Sequence, residues 1–246
     1  GLVGTNSTEG QETIPFFDPR KERFLEYDIS QMIWSLTNPE KPTVGVLSSL
    51  QVMGGQPRMP RQQPQQPWRI VNEMRDVLDV QKIETSVSEI PDDIDVLLVI
   101  HPKNLSDSAL YAIDQYLLQG RPAAIFVDPL CQADVPPGAQ QNPMRAMQAD
   151  RSSNLDRLFK AWGIEMVSGK VATDSDYAMR VPVRQGNQRV PFVAFISVDD
   201  KVIDDDDAIT GLLSNMNFAY PGALRQVNES AGGAADSGDG KNDSAS

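Results

Sequence analysis

Ten residues, DVLLVIHPKN from Asp95 to Asn104, constrain this chain more than any others. Five apolar residues in a row, Val96 to Ile100, show no alternation, so the strand they form is buried on both faces. Strands of that kind lie at the centre of parallel sheets. The run stops at His101, Pro102 and Lys103, and a helix signal follows at Ser106. Open α/β sheets bind ligands where such strands end, at their carboxyl edge. The segment therefore sets the fold class and marks where a site should lie, without saying what the site does.

Strand and helix patterns alternate on either side of it. The spacing of Ile29, Met32, Ile33 and Leu36 predicts a helix over 27–36, stopped by Asn38-Pro39. Pro42-TVGVLSS reads as a first strand, and 68–78 as a helix with Ile70, Val71, Met74, Val77 and Leu78 on one face. Strands are expected at 80–85 and 95–100. Helix 107–119 follows, with Ser106 as N-cap, a Leu105–Leu110 staple and Gly120 as its stop. A fourth strand, 123–127, and a helix over 154–162 continue the alternation. It predicts right-handed crossovers and a doubly wound, mostly parallel sheet of flavodoxin-like or glutamine-amidotransferase-like type.

The expected organisation is an extended segment 1–26, whose Phe16-Phe17 pair docks onto something, and a sheet domain 27–170. An antiparallel β addition at 171–228 follows, with hairpin strands near 179–183 and 190–198 and a last element at 208–216. The final segment, 229–246, is rich in Ser, Gly and Asp and reads as a disordered tail. Two stretches, 51–67 and 132–150, are low in complexity, and the first is expected to be a mobile loop.

Composition excludes several functions. A net charge of −12 argues against nucleic acid and anionic membrane as partners, since both require clustered Lys and Arg. No apolar run approaches the roughly 20 residues of a membrane span, and no signal peptide opens the chain, which reads as a piece of a longer protein. Neither a G-x-x-x-x-G-K-[ST] nor a G-x-G-x-x-G motif is present, so a nucleotide cofactor is not expected. His101 is the sole histidine and Cys131 the sole cysteine, which removes disulfides and His- or Cys-based metal clusters. No cofactor or metal is expected.

The candidate contacts are the polar residues at strand ends: Ser48, Ser49, His101, Lys103 and Asp128. His101 either acts in acid/base or ligand chemistry with Lys103, or holds the strand-to-helix turn. The second role is favoured because no catalytic partner is evident. Asp128 is more simply a cap for loop amides than a ligand. Cys131, in DPLCQAD, lacks the small neighbours of a nucleophile elbow. The acidic run Asp204–Asp207 lacks the spacing of a Ca²⁺ loop and reads as a solvated turn. Arg58 and Arg61, with Trp68 beside them, suit either a partner with an acidic face or a loop of scattered charge.

Three separated blocks resemble a known family: IPFFDPRKERFLEYDISQMIWSLTNPEKPTVGVLSSL, DDIDVLLVIHPKNLSDSALYAIDQYLLQGRPAAIFVDPL and NLDRLFKAWGIE, joined by the late SNMNFAYPGAL. They resemble the extracytoplasmic region of the GldG-like ABC-transport auxiliary proteins, named for a gliding-motility component, over residues 14 to about 224. The resemblance implies a periplasmic, non-enzymatic domain of a membrane-anchored subunit whose partners are an ABC permease and ATPase, with transmembrane helices outside these residues. It implies a sheet similar to those of intraflagellar-transport proteins and of glutamine amidotransferases without the catalytic elbow. A small-ligand or carbohydrate-binding sensor is the alternative, and an amidotransferase-like enzyme using Cys131 a distant third.

Overall fold

The computed structural model describes residues 1–17, 19, 22, 25–55, 64–135, 142, 144, 148–153, 155–182, 188–204, 206–207, 209–211 and 213–227. Arg58 and Arg61 lie outside them, as does the segment 228–246. The chain forms two compact units, Gly1–Asn154 and Leu155–Ser246. That division falls ahead of residues 155–170, which the sequence pattern groups with the sheet.

In the first unit, β1 (Leu2–Thr5) and β2 (Gln11–Ile14) form an antiparallel hairpin where an extended segment was expected. The Asn6 side chain makes the turn, accepting from the amides of Thr8 and Gly10. Helix α1 (Leu25–Thr37) packs on this hairpin, bringing Met32 and Leu36 against Gly4. Phe16 and Phe17 are exposed.

The main sheet follows. Strands β3 (Thr43–Ser48), β4 (Asp79–Ile83), β5 (Val96–Ile100) and β6 (Ala123–Phe126) are all parallel, in the order β4-β3-β5-β6. Helix α2 (Arg69–Val77) joins β3 to β4 and α3 (Asp107–Leu118) joins β5 to β6, while turns alone carry the chain from β4 to β5. The two helical crossovers run in opposite directions from the middle of the sheet, so right-handed connections put α2 and α3 on opposite faces.

Side-chain parity agrees. Val44 and Val46 share a core with Val52, Trp68, Met74, Leu78, Val80, Leu98 and Ile100, on the α2 side. The other face carries Gly45, Leu47, Leu97 and Val99, and α3 buries Ala109, Ala112, Ile113 and Tyr116. Tyr116 reaches back to the start of β5, where its hydroxyl donates to the Ile94 carbonyl at 3.5 Å. The guanidinium of Arg121 lies 4.3 Å from the centre of its ring.

The ends of these elements have local causes. The Ser106 hydroxyl accepts from the Ala109 amide at 3.2 Å, the N-cap expected, and Gly120 follows the helix at φ +75°. Lys41 closes α2 by donating to the carbonyls of Arg75 and Asp76, where a cation suits the helix dipole. Asp95 staples the strand starts together, its carboxylate accepting from the Thr43 amide at 2.7 Å.

The second unit begins with α4 (Asp156–Ala161), which buries Leu158 and Phe159 and ends at Gly163. Its strand β7 (Ile164–Met166) pairs antiparallel with β11 (Leu224–Gln226), so the expected parallel alternation does not continue through residue 167. Strands β8 (Ala178–Pro182), β9 (Arg189–Asp199) and β10 (Asn215–Ala219) form an antiparallel sheet. Phe192, Phe195 and Tyr220 meet edge-to-face on it at 5.0–6.0 Å. Where a last element was expected at 208–216, the described residues 209–211 turn and β10 starts at Asn215.

Gly45 sits in close contact with its neighbours in the main sheet. A Cβ there would stand 3.0 Å from both Ile83 Cγ1 and Ile94 Cγ2. Gly45→Val should lower the unfolding free energy by about 1–3 kcal/mol through overpacking. Urea denaturation measures this, and an unchanged midpoint would mean that the β3–β4–Ile94 contact is loose.

Candidate functional site

Reading the sheet in chain order, the first strand, β3, lies between the second and the third, so the crossovers diverge between β3 and β5. The carboxyl edge at such a switch point is where α/β sheets hold ligands. A cavity of about 660 Å³ opens there. Its walls come from the ends of three adjacent strands: Ser48 and Ser49 after β3, Lys82 and Glu84 at β4, and His101, Lys103 and Asn104 after β5. Residues 50–55 and Asp134 close it.

The wall formed by residues 50–55 is fixed at its base. Val52 is buried in the core, its carbonyl accepts from the Trp68 amide at 2.9 Å, and Gly55 and Gln65 exchange backbone hydrogen bonds at 3.0 Å. Gly54 takes φ +83° with the Gln65 carbonyl 2.7 Å from where its Cβ would be, so only glycine fits. These contacts close the neck of the loop expected at 51–67. The expected loop tip, with Arg58 and Arg61, is outside the described residues.

The turn after β5 is the most constrained part of the site. His101 and Asn104 both take left-handed conformations, φ +48° and +53°. His101 is 2 % exposed, and its amide donates to the Phe126 carbonyl at 2.9 Å. Ser153 Oγ accepts from the Asp128 amide at 2.8 Å and lies 3.0 Å from His101 Nδ1. The other ring nitrogen, Nε2, lies 3.4 Å from Asp134 Oδ2. Lys103 Nζ donates to the same Asp134 oxygen and to the Asp150 carbonyl, each at 2.5 Å.

Asp134 is held ionised. Burial opposes its charge, but the hydrogen bond and charge of Lys103, and then those of His101, outweigh burial and put its carboxyl below the usual range. Asp150 is also lowered, chiefly by hydrogen bonds from Ser152.

The structure separates the candidate residues. Ser48, Ser49, His101 and Lys103 line one cavity. The two serine hydroxyls are engaged in holding the edge: Ser48 donates to the Ile100 carbonyl at 2.7 Å, and Ser49 both donates to the Lys103 carbonyl and accepts from the Lys103 amide at 2.8 Å. Asp128 caps the following loop, accepting from the Leu130 amide at 2.8 Å. Trp68 packs into the core under α2. Cys131 is buried, and burial pushes its thiol up against the opposing backbone bonds of Asp134 and Ala133. In the acidic run, Asp207 caps a turn, with its Oδ1 accepting from the amides of Ile209 and Thr210.

Sequence reasoning missed Asp134, Ser153 and the Lys82–Glu84 pair. Asp134 and Ser153 sit in loops without periodicity, 31 and 52 residues from the side chains they meet, and no local pattern announces them. Lys82 and Glu84 had a faint signal: two charges of opposite sign, two apart at a strand end, lie on one face.

This arrangement is a mixed α/β fold with a cavity at the switch point of its parallel sheet. Residues 41–235 match the family described as ABC-type uncharacterized transport system, well over half of the chain. The protein belongs to this ABC-transport auxiliary family. No curated protein and no solved structure matches it. Among the described residues, no helix is long and apolar enough to cross a membrane.

Two measurements test the site. Because the folded Asp134 value is lowered from an unfolded value near 3.9, its stabilisation is present above about pH 4 and lost as pH falls through the folded value. Asp134→Asn should cost roughly 1–3 kcal/mol at pH 7, leaving the Lys103 ammonium short of a charged acceptor. The gap to wild type should shrink on acidification below about pH 4, and a gap that persists there would break the link to ionisation. Native Cys131 should react with a thiol reagent at pH 8 roughly tenfold or more slowly than free cysteine, and at the free rate once unfolded. A native rate equal to that of free cysteine would show the thiol to be accessible.

Proposed function

We propose that the protein is a non-enzymatic, extracytoplasmic domain of an ABC transporter auxiliary subunit that works by binding a transport substrate or a protein partner at the switch-point cavity. The subunit is of the GldG-like kind, anchored on the periplasmic side of the membrane by helices outside residues 1–246. Its partners are the permease and ATPase of the same system. Its sheet is of the flavodoxin-like, glutamine-amidotransferase-related type.

The observation that carries the reading is the family match over residues 41–235 joined to a cavity at the expected edge. The engagement of the polar groups there supports binding over catalysis. Both ring nitrogens of His101 have side-chain neighbours, Ser153 is buried beneath the cavity, and burial raises the thiol of Cys131. A nucleophile beside a free base is what acyl-transfer chemistry requires. No aromatic ring lines the cavity among the described residues, apart from the buried imidazole, which gives a carbohydrate no stacking platform.

Full-length protein, tagged and purified from membranes in mild detergent, should bring down an ABC ATPase and a permease, identified by mass spectrometry. Gly55→Phe should leave that assembly intact while impairing transport, since Gly55 lines the cavity and the atom nearest its Cβ position is the flexible end of Gln51, at 2.9 Å. Recovery of neither subunit would refute the assembly, and full transport by the filled variant would refute the role of the cavity.

A further inference from the structure

The cavity holds two ion pairs, one on each strand flanking β3. Lys82 and Glu84 pair at 2.6 Å at the end of β4, and Lys103 and Asp134 at 2.5 Å beside the end of β5. Because β4 and β5 sit either side of β3, with strands about 4.8 Å apart, the two pairs are set about 10 Å apart across the sheet, and Lys103 lies further along the carboxyl edge than Lys82, which is level with Leu98. Resting on the reading of this cavity as a binding site, we propose that its ligand is a linear zwitterion, with an ammonium and a carboxylate at opposite ends, of at least the length of a tripeptide.

Three features select this chemistry. First, the four charges sum to zero, so the site offers a monopolar ion no net attraction. Second, each end of a zwitterion finds an opposite charge at each pair. The Lys82–Glu84 pair is more than half exposed and worth little by itself, so a ligand terminus can exchange into it at small cost. The Lys103 ammonium has three hydrogens, and its two described bonds leave one for a carboxylate. Third, an extended chain advances about 3.3–3.6 Å per residue, so three residues span roughly 10 Å, the spacing of β4 and β5 across the sheet. The cavity volume lies within the ordinary range of small-ligand pockets.

Between the two poles the lining is polar: Gln51, Thr85 and Asn104 surround the cavity with the backbone of residues 53–55. Side-chain amides and hydroxyls there suit the peptide groups of such a ligand, both donating and accepting.

The test uses calorimetry on the full chain with triglycine, with N-acetyl-triglycine amide (the same backbone without terminal charges) and with maltotriose. Triglycine should bind at least tenfold more tightly than the blocked peptide. The double variant Lys82→Met, Glu84→Gln alters only an exposed pair. It should keep the wild-type melting temperature and lose about tenfold in triglycine affinity. Equal binding of the free and blocked peptides, or an unaffected double variant, would overturn the zwitterion. Maltotriose binding that Gly55→Phe abolishes would overturn it too, while sparing the cavity as the site. No binding of triglycine to wild type also overturns it, whereas the cavity reading stands or falls with transport by Gly55→Phe.

Discussion

The carboxyl edge depends on one buried imidazole. His101 sits in a left-handed conformation that an L-residue takes at a cost of roughly 1–2 kcal/mol, and Asn104 repeats the cost three residues later. Such a turn persists only where its surroundings over-determine it. Here the His101 amide is tied to β6, Nδ1 to Ser153 and Nε2 to Asp134, while Ser49 clamps the Lys103 backbone from the end of β3. Hydrogen bonds contribute about 1 kcal/mol each, so this set offsets the two strained residues. The result is a fixed position for Lys103 in the cavity wall.

That network also explains how an irregular segment becomes part of the site. Residues 128–135 and 148–153 contain no strand, and their backbone groups must find partners if they lie against the sheet. They find them in each other: Ser153 and Asp128 exchange two bonds, the Cys131 amide donates to the Arg151 carbonyl, and the Arg151 guanidinium donates to the Cys131 carbonyl. This cross-linked loop delivers Asp134 to Lys103 and Ser153 to His101 from opposite sides of the ring.

How much of this the sequence disclosed follows from the range of each interaction. The central strands β3 and β5 were legible because their place inside the sheet leaves largely apolar runs, and the helices because Ser106, Gly120 and Gly163 punctuate them. The N-terminal hairpin escaped because LVGT and QETI are short and mixed, and its register rests on the Asn6 side chain rather than on an apolar face. β7 misled for a related reason. A three-residue strand after a helix reads as another parallel strand, yet its partner is β11, 60 residues on. At the site, strand ends predicted Ser48, Ser49, His101 and Lys103, but a loop residue such as Asp134 is recognised only once the fold brings it near.

Serine, histidine and aspartate lie in line in this network, the residue types of a hydrolytic triad, and their order shows why composition alone does not make a catalyst. In a triad the hydroxyl faces substrate and the carboxylate lies buried behind the ring. Here the hydroxyl of Ser153 is behind the ring, fixed by the Asp128 amide, and the carboxylate faces the cavity, paired with Lys103. A proton moved along this line would uncover only the oxygen of Ser153, which is buried and does not line the cavity. What the same geometry does provide is a fixed dipole at the mouth of a strand, with Lys103 and Asp134 oriented before any ligand arrives. Preorganisation of that kind lowers the ordering cost of binding, which suits the binding role proposed for the cavity.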